Sequence, residues 1–152
     1  MLSIDLTTLL SHLAHLVAAW LIVMPIAWER ERATRIMGLR TFPLVALGTC
    51  AFVLIGTSMA GDNGNAKMRL IEGIITGLGF IGGGAILKEG NGNGVRGTAT
   101  AASIWTTGAA GIAIGFSQYA IAVVIVVLTF VILRWLSSLK EQVEGMDESD
   151  KA

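Results

Sequence analysis

Residues Gly97 to Leu133 contain no Asp, Glu, Lys or Arg. This uncharged run of 37 residues constrains the fold more than any other feature of the chain. A helix rises ~1.5 Å per residue and a bilayer core takes ~20 residues. The run is therefore too long for one membrane span and long enough for two, with Gly115-Phe116-Ser117-Gln118 as the natural turn. Three shorter uncharged runs precede it: Leu6 to Trp28, Thr41 to Gly61 and Gly73 to Leu87. None shows the strict alternation of a barrel strand, so helices are expected. The pattern predicts an all-α, polytopic membrane helical bundle of about five spans, near 6–28, 42–60, 70–87, 98–116 and 119–136. Residues 1–140 form one transmembrane domain in this reading, and 141–152 a short, acidic, disordered tail on the cytoplasmic side.

Composition agrees. Hydrophobic residues make up 53% of the chain and charged residues 14%, with a mean hydropathy of +0.69. Soluble domains carry about 25% charged residues. The formal net charge is zero, which gives nucleic acid no electrostatic hold. Cys50 is the single cysteine, so no intrachain disulfide can form, and its apolar neighbours suggest an inert thiol. The amino-terminal stretch carries Asp5 and no basic residue. Its apolar run is long and ends in Trp28-Glu29-Arg30, so the first span is expected to be retained rather than cleaved. Cytoplasmic loops are enriched in Lys and Arg. Nine basic residues (Arg30, Arg32, Arg35, Arg40, Lys88, Arg96, Arg134, Lys140 and Lys151) fall on one side of the predicted spans; only Lys67 and Arg69 fall on the other. This places the N-terminus outside and the C-terminus in the cytoplasm.

Glycine is concentrated in the second half of the bundle. Of 19 glycines, ten lie between Gly73 and Gly97. Small residues four apart let membrane helices approach closely. The pairs Gly73/Gly77, Gly79/Gly83, Gly111/Gly115 and Ala14/Ala18 have that spacing. Helix packing accounts for most of them. A sharper possibility is that Gly82-Gly83-Gly84 breaks the third span and lines a site, because irregular backbone at membrane depth needs protein or a water-filled cavity beside it.

A few side chains carry potential chemistry. Glu72 sits one turn after Arg69, and an ionisable group in a span is a functional candidate. It can pair with Arg69 at headgroup level, bind a cation weakly, or pass a proton. His12 and His15 have a spacing compatible with metal binding but no evident third ligand, which favours interfacial histidines. Glu29, Arg30, Arg40 and Arg96 can form an ion-pair network that ties the cytoplasmic ends together. Thr98 and Thr100 would line the contact between spans three and four, with Thr98 as a helix cap. The loop Lys88 to Gly97 is flexible by composition. Gly77-Leu78-Gly79-Phe80-Ile81-Gly82 fits a dinucleotide fingerprint, yet no Asp or Glu follows between Gly90 and Lys140, and the motif lies inside an apolar run. No nucleophile–base pair is evident, so no enzymatic activity and no cofactor are expected.

Three stretches resemble the membrane domain of the MgtC/SapB family. They are Trp28-Glu29-Arg30-Glu31 with Gly38-Leu39-Arg40-Thr41; Thr76-Gly77-Leu78-Gly79-Phe80-Ile81-Gly82-Gly83-Gly84-Ala85-Ile86-Leu87-Lys88; and Val95-Arg96-Gly97-Thr98-Ala99-Thr100-Ala101-Ala102-Ser103-Ile104-Trp105. They occur in family order across residues 28–105, and hydropathy extends the match to about 136. The resemblance implies a five-span bacterial inner-membrane protein, associated with growth in low magnesium and survival inside host cells. It further implies a regulator acting through membrane partners, including the ATP synthase, rather than a magnesium pump. The match covers the membrane domain only, without the soluble C-terminal domain that many members carry. It departs from some members at Ala99, where they have Asn. Besides the lipid bilayer, the expected partner is a second copy of the chain, because several small-residue faces lack an internal partner. The alternative function is a transporter or channel for an ion or small solute.

Overall fold

The computed structural model describes residues 5–34, 37–88 and 94–149, with side chains described up to residue 136. Among these, the chain forms six α-helices and one short hairpin: α1 (Leu6–Ile22), α2 (Met24–Thr34), α3 (Thr41–Ala60), α4 (Gly64–Gly84), β1 (Leu87–Lys88), β2 (Val95–Arg96), α5 (Thr98–Gly115) and α6 (Tyr119–Ser149). The all-α helical expectation holds. Three segments are long and apolar enough to cross a membrane: Leu6–Thr34, Thr41–Ala60 and Tyr119–Leu136.

The helix boundaries have local causes. Asp5 caps α1, accepting the Thr7 N–H and the Thr8 hydroxyl. α1 and α2 form one bent rod interrupted at Val23. Pro25 follows directly, and its ring and missing N–H disrupt the preceding turn. α4 starts at Gly64 rather than near residue 70, because the Asn63 side chain accepts the Ala66 N–H and caps it. Lys67, Arg69 and Glu72 therefore lie within the helix. At its other end, Gly82-Gly83-Gly84 does not break the span: the helix runs through all three and stops at Ala85. Gly97, with φ of 90°, takes the cap position of α5, so Thr98 is the first helical residue and no side chain caps it. α6 continues to Ser149, where a disordered tail was expected from residue 141. β1 and β2 pair antiparallel with Leu87 opposite Arg96, which gives part of the Lys88–Gly97 loop a fixed form; residues 89–93 lie outside the described residues, as does Arg35.

The helices alternate in direction, giving the bundle a hairpin end and an opposite end. At the opposite end, His15 of α1 meets Ser117 in the α5–α6 turn. At the hairpin end, Glu29 of α2 meets Arg134 of α6. α5 is the central helix, and its most extensive contact is with α3. The largest fully buried side chains come from the α1–α2 bend (Val23, Ile26), α3 (Phe42, Cys50, Val53) and α5 (Ser103, Ile104, Thr107, Ile114). A helix surrounded by protein need not be strongly apolar, since it meets helices rather than lipid. This explains why α5 can be rich in Ala, Gly and Thr. Its Gly111 and Gly115 sit directly on α3: a Cβ at Gly115 would fall 2.6 Å from Val53 Cβ. By contrast α4 buries only Ile74, Leu78 and Gly82. The peripheral helices expose Leu, Val, Phe and Trp in quantity, among them Phe80 and Trp135, as lipid-facing surfaces do.

Candidate functional site

The sequence candidates separate into two groups, one at the hairpin end and one on the outward face of α4. At the hairpin end, Glu29 and Arg30 are both buried, although they close a helix that runs out of the apolar region. Arg134 Nη1 lies 3.8 Å from Glu29 Oε2, joining α6 to α2. Arg30 Nε is buried without a hydrogen-bond partner among the described residues. Glu31 takes a different role: its carboxylate accepts the Leu39 N–H at 3.0 Å and holds the turn before α3. Gly38 is needed there, since a Cβ would overlap Glu31 itself, 2.6 Å from its Cα. Arg32 stacks over the Trp28 ring at 5.1 Å.

Arg40 is exposed at the start of α3, and Thr41 is half-buried behind it. Arg96 is exposed in β2, next to Gly97. A Cβ at Gly97 would overlap the Ala85 carbonyl, so this glycine lets the start of α5 close onto the end of α4. Thr98 is exposed, whereas Thr100 is buried and its carbonyl accepts the Ser103 hydroxyl. The predicted contact of spans three and four is present, and Gly82, Leu78 and Gly108 take part in it. A Cβ at Gly82 would lie 3.5 Å from the Ala101 carbonyl oxygen, and Leu78 fills the space above Gly108.

The second group lies on α4. Residues four, three and four apart share a helix stripe, and Glu72, Thr76, Gly79 and Gly83 have that spacing. All four are exposed. Cβ atoms placed at Gly79, Gly83 or Gly84 would meet nothing within 4 Å. The Gly111/Gly115 motif is thus consumed inside the bundle, and the Gly79/Gly83 motif is left facing outward. Arg69 and Glu72 are exposed on α4, and neither is ion-paired among the described residues. Among the described residues, no three His, Cys, Asp or Glu side chains are gathered to hold a metal, at Glu72 or at His12 and His15. His15 hydrogen-bonds the Ser11 carbonyl and Ser117 Oγ, and its ring packs 5.7 Å from Tyr119.

Three features lay outside sequence reasoning: Arg134 as the partner of Glu29, Ser117 as the partner of His15, and Thr107, whose fully buried hydroxyl has no partner among the described residues. The first two join residues from opposite ends of the chain, and no local pattern marks them. The Gly77–Gly82 fingerprint lies wholly inside α4, with no strand before it.

Comparison with known proteins decides the family. The MgtC family profile matches residues 16–142. The chain belongs to the MgtC family. It is 38% identical over 131 residues to Protein MgtC of Brucella abortus, covering 84% of this chain and 53% of that protein. Protein SrpB of Synechococcus elongatus is 36% identical over 135 residues, covering 82% of this chain and 72% of its own. Protein MgtC of Salmonella paratyphi A is 34% identical over 143 residues, covering 92% and 60%. The chain thus spans about half the length of the Brucella relative it matches. No solved structure matches it. MgtC-family membership and the apolar helices together make this an α-helical membrane protein.

Proposed function

We propose that this MgtC-family chain is a multi-pass protein of the bacterial inner membrane that acts as a regulator through membrane partners, in magnesium homeostasis and membrane energetics. All five rods cross the bilayer in this reading, α1–α2 counting as one. α4 and α5, at 21 and 18 residues, are ~31 and ~27 Å long against a core of ~30 Å. In this reading the hairpin end and the C-terminus face the cytoplasm, which the basic residues near that end support.

The observation that carries the regulator reading is the outward stripe of α4. It places a carboxylate, a hydroxyl and two glycines on one exposed line, with open space over both glycines. A lipid-facing carboxylate is costly, and small residues in register suit another helix. The partner is a second copy of this chain or another membrane protein; the family resemblance points to the ATP synthase. No enzymatic step is assigned, and the filled α3–α5 contact is that of a packed core. The transporter reading draws on Glu72, the one acidic side chain inside α4.

Cation flux into proteoliposomes separates the two. Magnesium, sodium, potassium and proton movement are followed for the wild-type protein and for Glu72→Gln. The regulator reading expects no flux from well-inserted protein, together with disulfide crosslinking through Gly83→Cys in native membranes. Flux abolished by Glu72→Gln would overturn it in favour of a transporter.

A further inference from the structure

The opposite flank of α4 carries a separate feature. Between α3 and α4 runs a groove of about 750 Å³, open to the bilayer side. Leu44 and Phe52 of α3 form its exposed apolar rim. Gly48, Gly73 and Gly77 form stretches of wall without side chains, and a Cβ at any of them would meet nothing within 4 Å. The groove is open because these three residues are glycines. Thr49, its polar neighbour, donates its hydroxyl to the Val45 and Ala46 carbonyls of its own helix, so the wall offers no free donor there.

Arg69 stands at the groove end away from the hairpin. Its guanidinium has no ion pair among the described residues, and Glu72 projects from the other flank of Arg69 than Gly73 does. An apolar groove closed by one uncompensated cation has the chemistry of an anionic amphiphile. Arginine binds phosphate through two parallel hydrogen bonds, and its long stem lets it reach headgroup level.

Length and charge together point to a lipid chain. From Arg69 to Ile81 the groove follows α4 for ~18 Å, slightly more than half the ~30 Å hydrocarbon core. A hydrocarbon chain lies along such an apolar wall, and a phosphate at its end meets the Arg69 guanidinium. We propose that the α3–α4 groove is a binding site for one anionic phospholipid, with an acyl chain along Gly48, Gly73 and Gly77 and its phosphate on Arg69.

The test is native mass spectrometry of the purified full chain, titrated in detergent with dioleoyl phosphatidylglycerol or dioleoyl phosphatidylethanolamine. One phosphatidylglycerol should be retained about tenfold more tightly than phosphatidylethanolamine, the size expected of a charge-assisted phosphate contact. Arg69→Gln, on the exposed surface, should remove the preference. Gly77→Leu and Gly48→Leu, which fill the groove from either wall, should each abolish retention of that lipid. Circular dichroism checks that each variant is folded. Equal retention of the two lipids, or a preference unchanged in Arg69→Gln, overturns the proposal. So does phosphatidylglycerol retention that survives both leucine variants. If Gly77→Leu alone misfolds, Gly48→Leu decides.

Discussion

Replacing Gly111 with alanine probes the contact on which the bundle rests. Gly111 faces α3, and an added Cβ would overlap Thr49 Oγ1 and stand 2.6 Å from the Ala46 carbonyl oxygen and 3.1 Å from its Cα. Two of these three atoms are backbone, so rotating a side chain cannot relieve the clash. The helices must part by roughly 1 Å at the crossing. A gap of that size forfeits a quarter to a half of each affected dispersion contact, and overpacking a filled core costs about 1–3 kcal/mol. Alanine's better helix propensity returns about 0.5–1 kcal/mol. The net expectation is a loss of about 1–2 kcal/mol. Gly79→Ala supplies the matched control: it makes the same chemical change in a helix, into open space. Unfolding in mixed micelles, followed by near-ultraviolet circular dichroism of the tryptophans, measures both. Gly111→Ala as stable as Gly79→Ala would refute the argument that α3 and α5 meet backbone to backbone.

Three further outcomes follow from the contacts. Glu29→Ala leaves buried Arg30 without its neighbouring carboxylate and should cost about 1–3 kcal/mol, whereas Arg134→Ala, at a largely exposed partner, should cost under about 1 kcal/mol; the same micelle assay ranks them. Gly97→Ala combines a strained left-handed backbone with a clash on the Ala85 carbonyl, so a loss of roughly 2–4 kcal/mol and a sharp fall in monodisperse yield on size exclusion are expected. Ser117→Ala removes the hydroxyl that meets His15 and should lower stability by about 1 kcal/mol, with no further loss when made in a His15→Phe background.

Two of the five rods are legible at both ends, where charge and helix ends coincide. The Thr41–Ala60 and Thr98–Gly115 helices fall within a residue of their expected bounds, because Arg40 and Arg96-Gly97 mark real chain reversals. α4 was displaced by six residues because charges were taken as boundaries, and a capped helix tolerates Lys67, Arg69 and Glu72 in its first half. The glycine triplet follows the packing reading rather than the break. Glycine permits a break but does not impose one, and neighbouring helix backbone keeps Gly82 helical against Ala101.

The membrane environment, the helical class and the family are legible in the linear chain. These follow from where charges are absent over membrane-length runs and from short motifs in fixed order, which are properties of neighbours along the chain. Only the tertiary structure decided what each glycine pair faces. Gly111/Gly115 and Gly79/Gly83 carry the same spacing, yet one pair seats α5 on α3 and the other looks outward beside Glu72. It likewise decided that Arg134 meets Glu29, and that Arg69, with no ion pair among the described residues, stands at the end of an open groove. A four-residue spacing specifies a helix face but not its direction. That direction is set by how the other helices fill the space around α5.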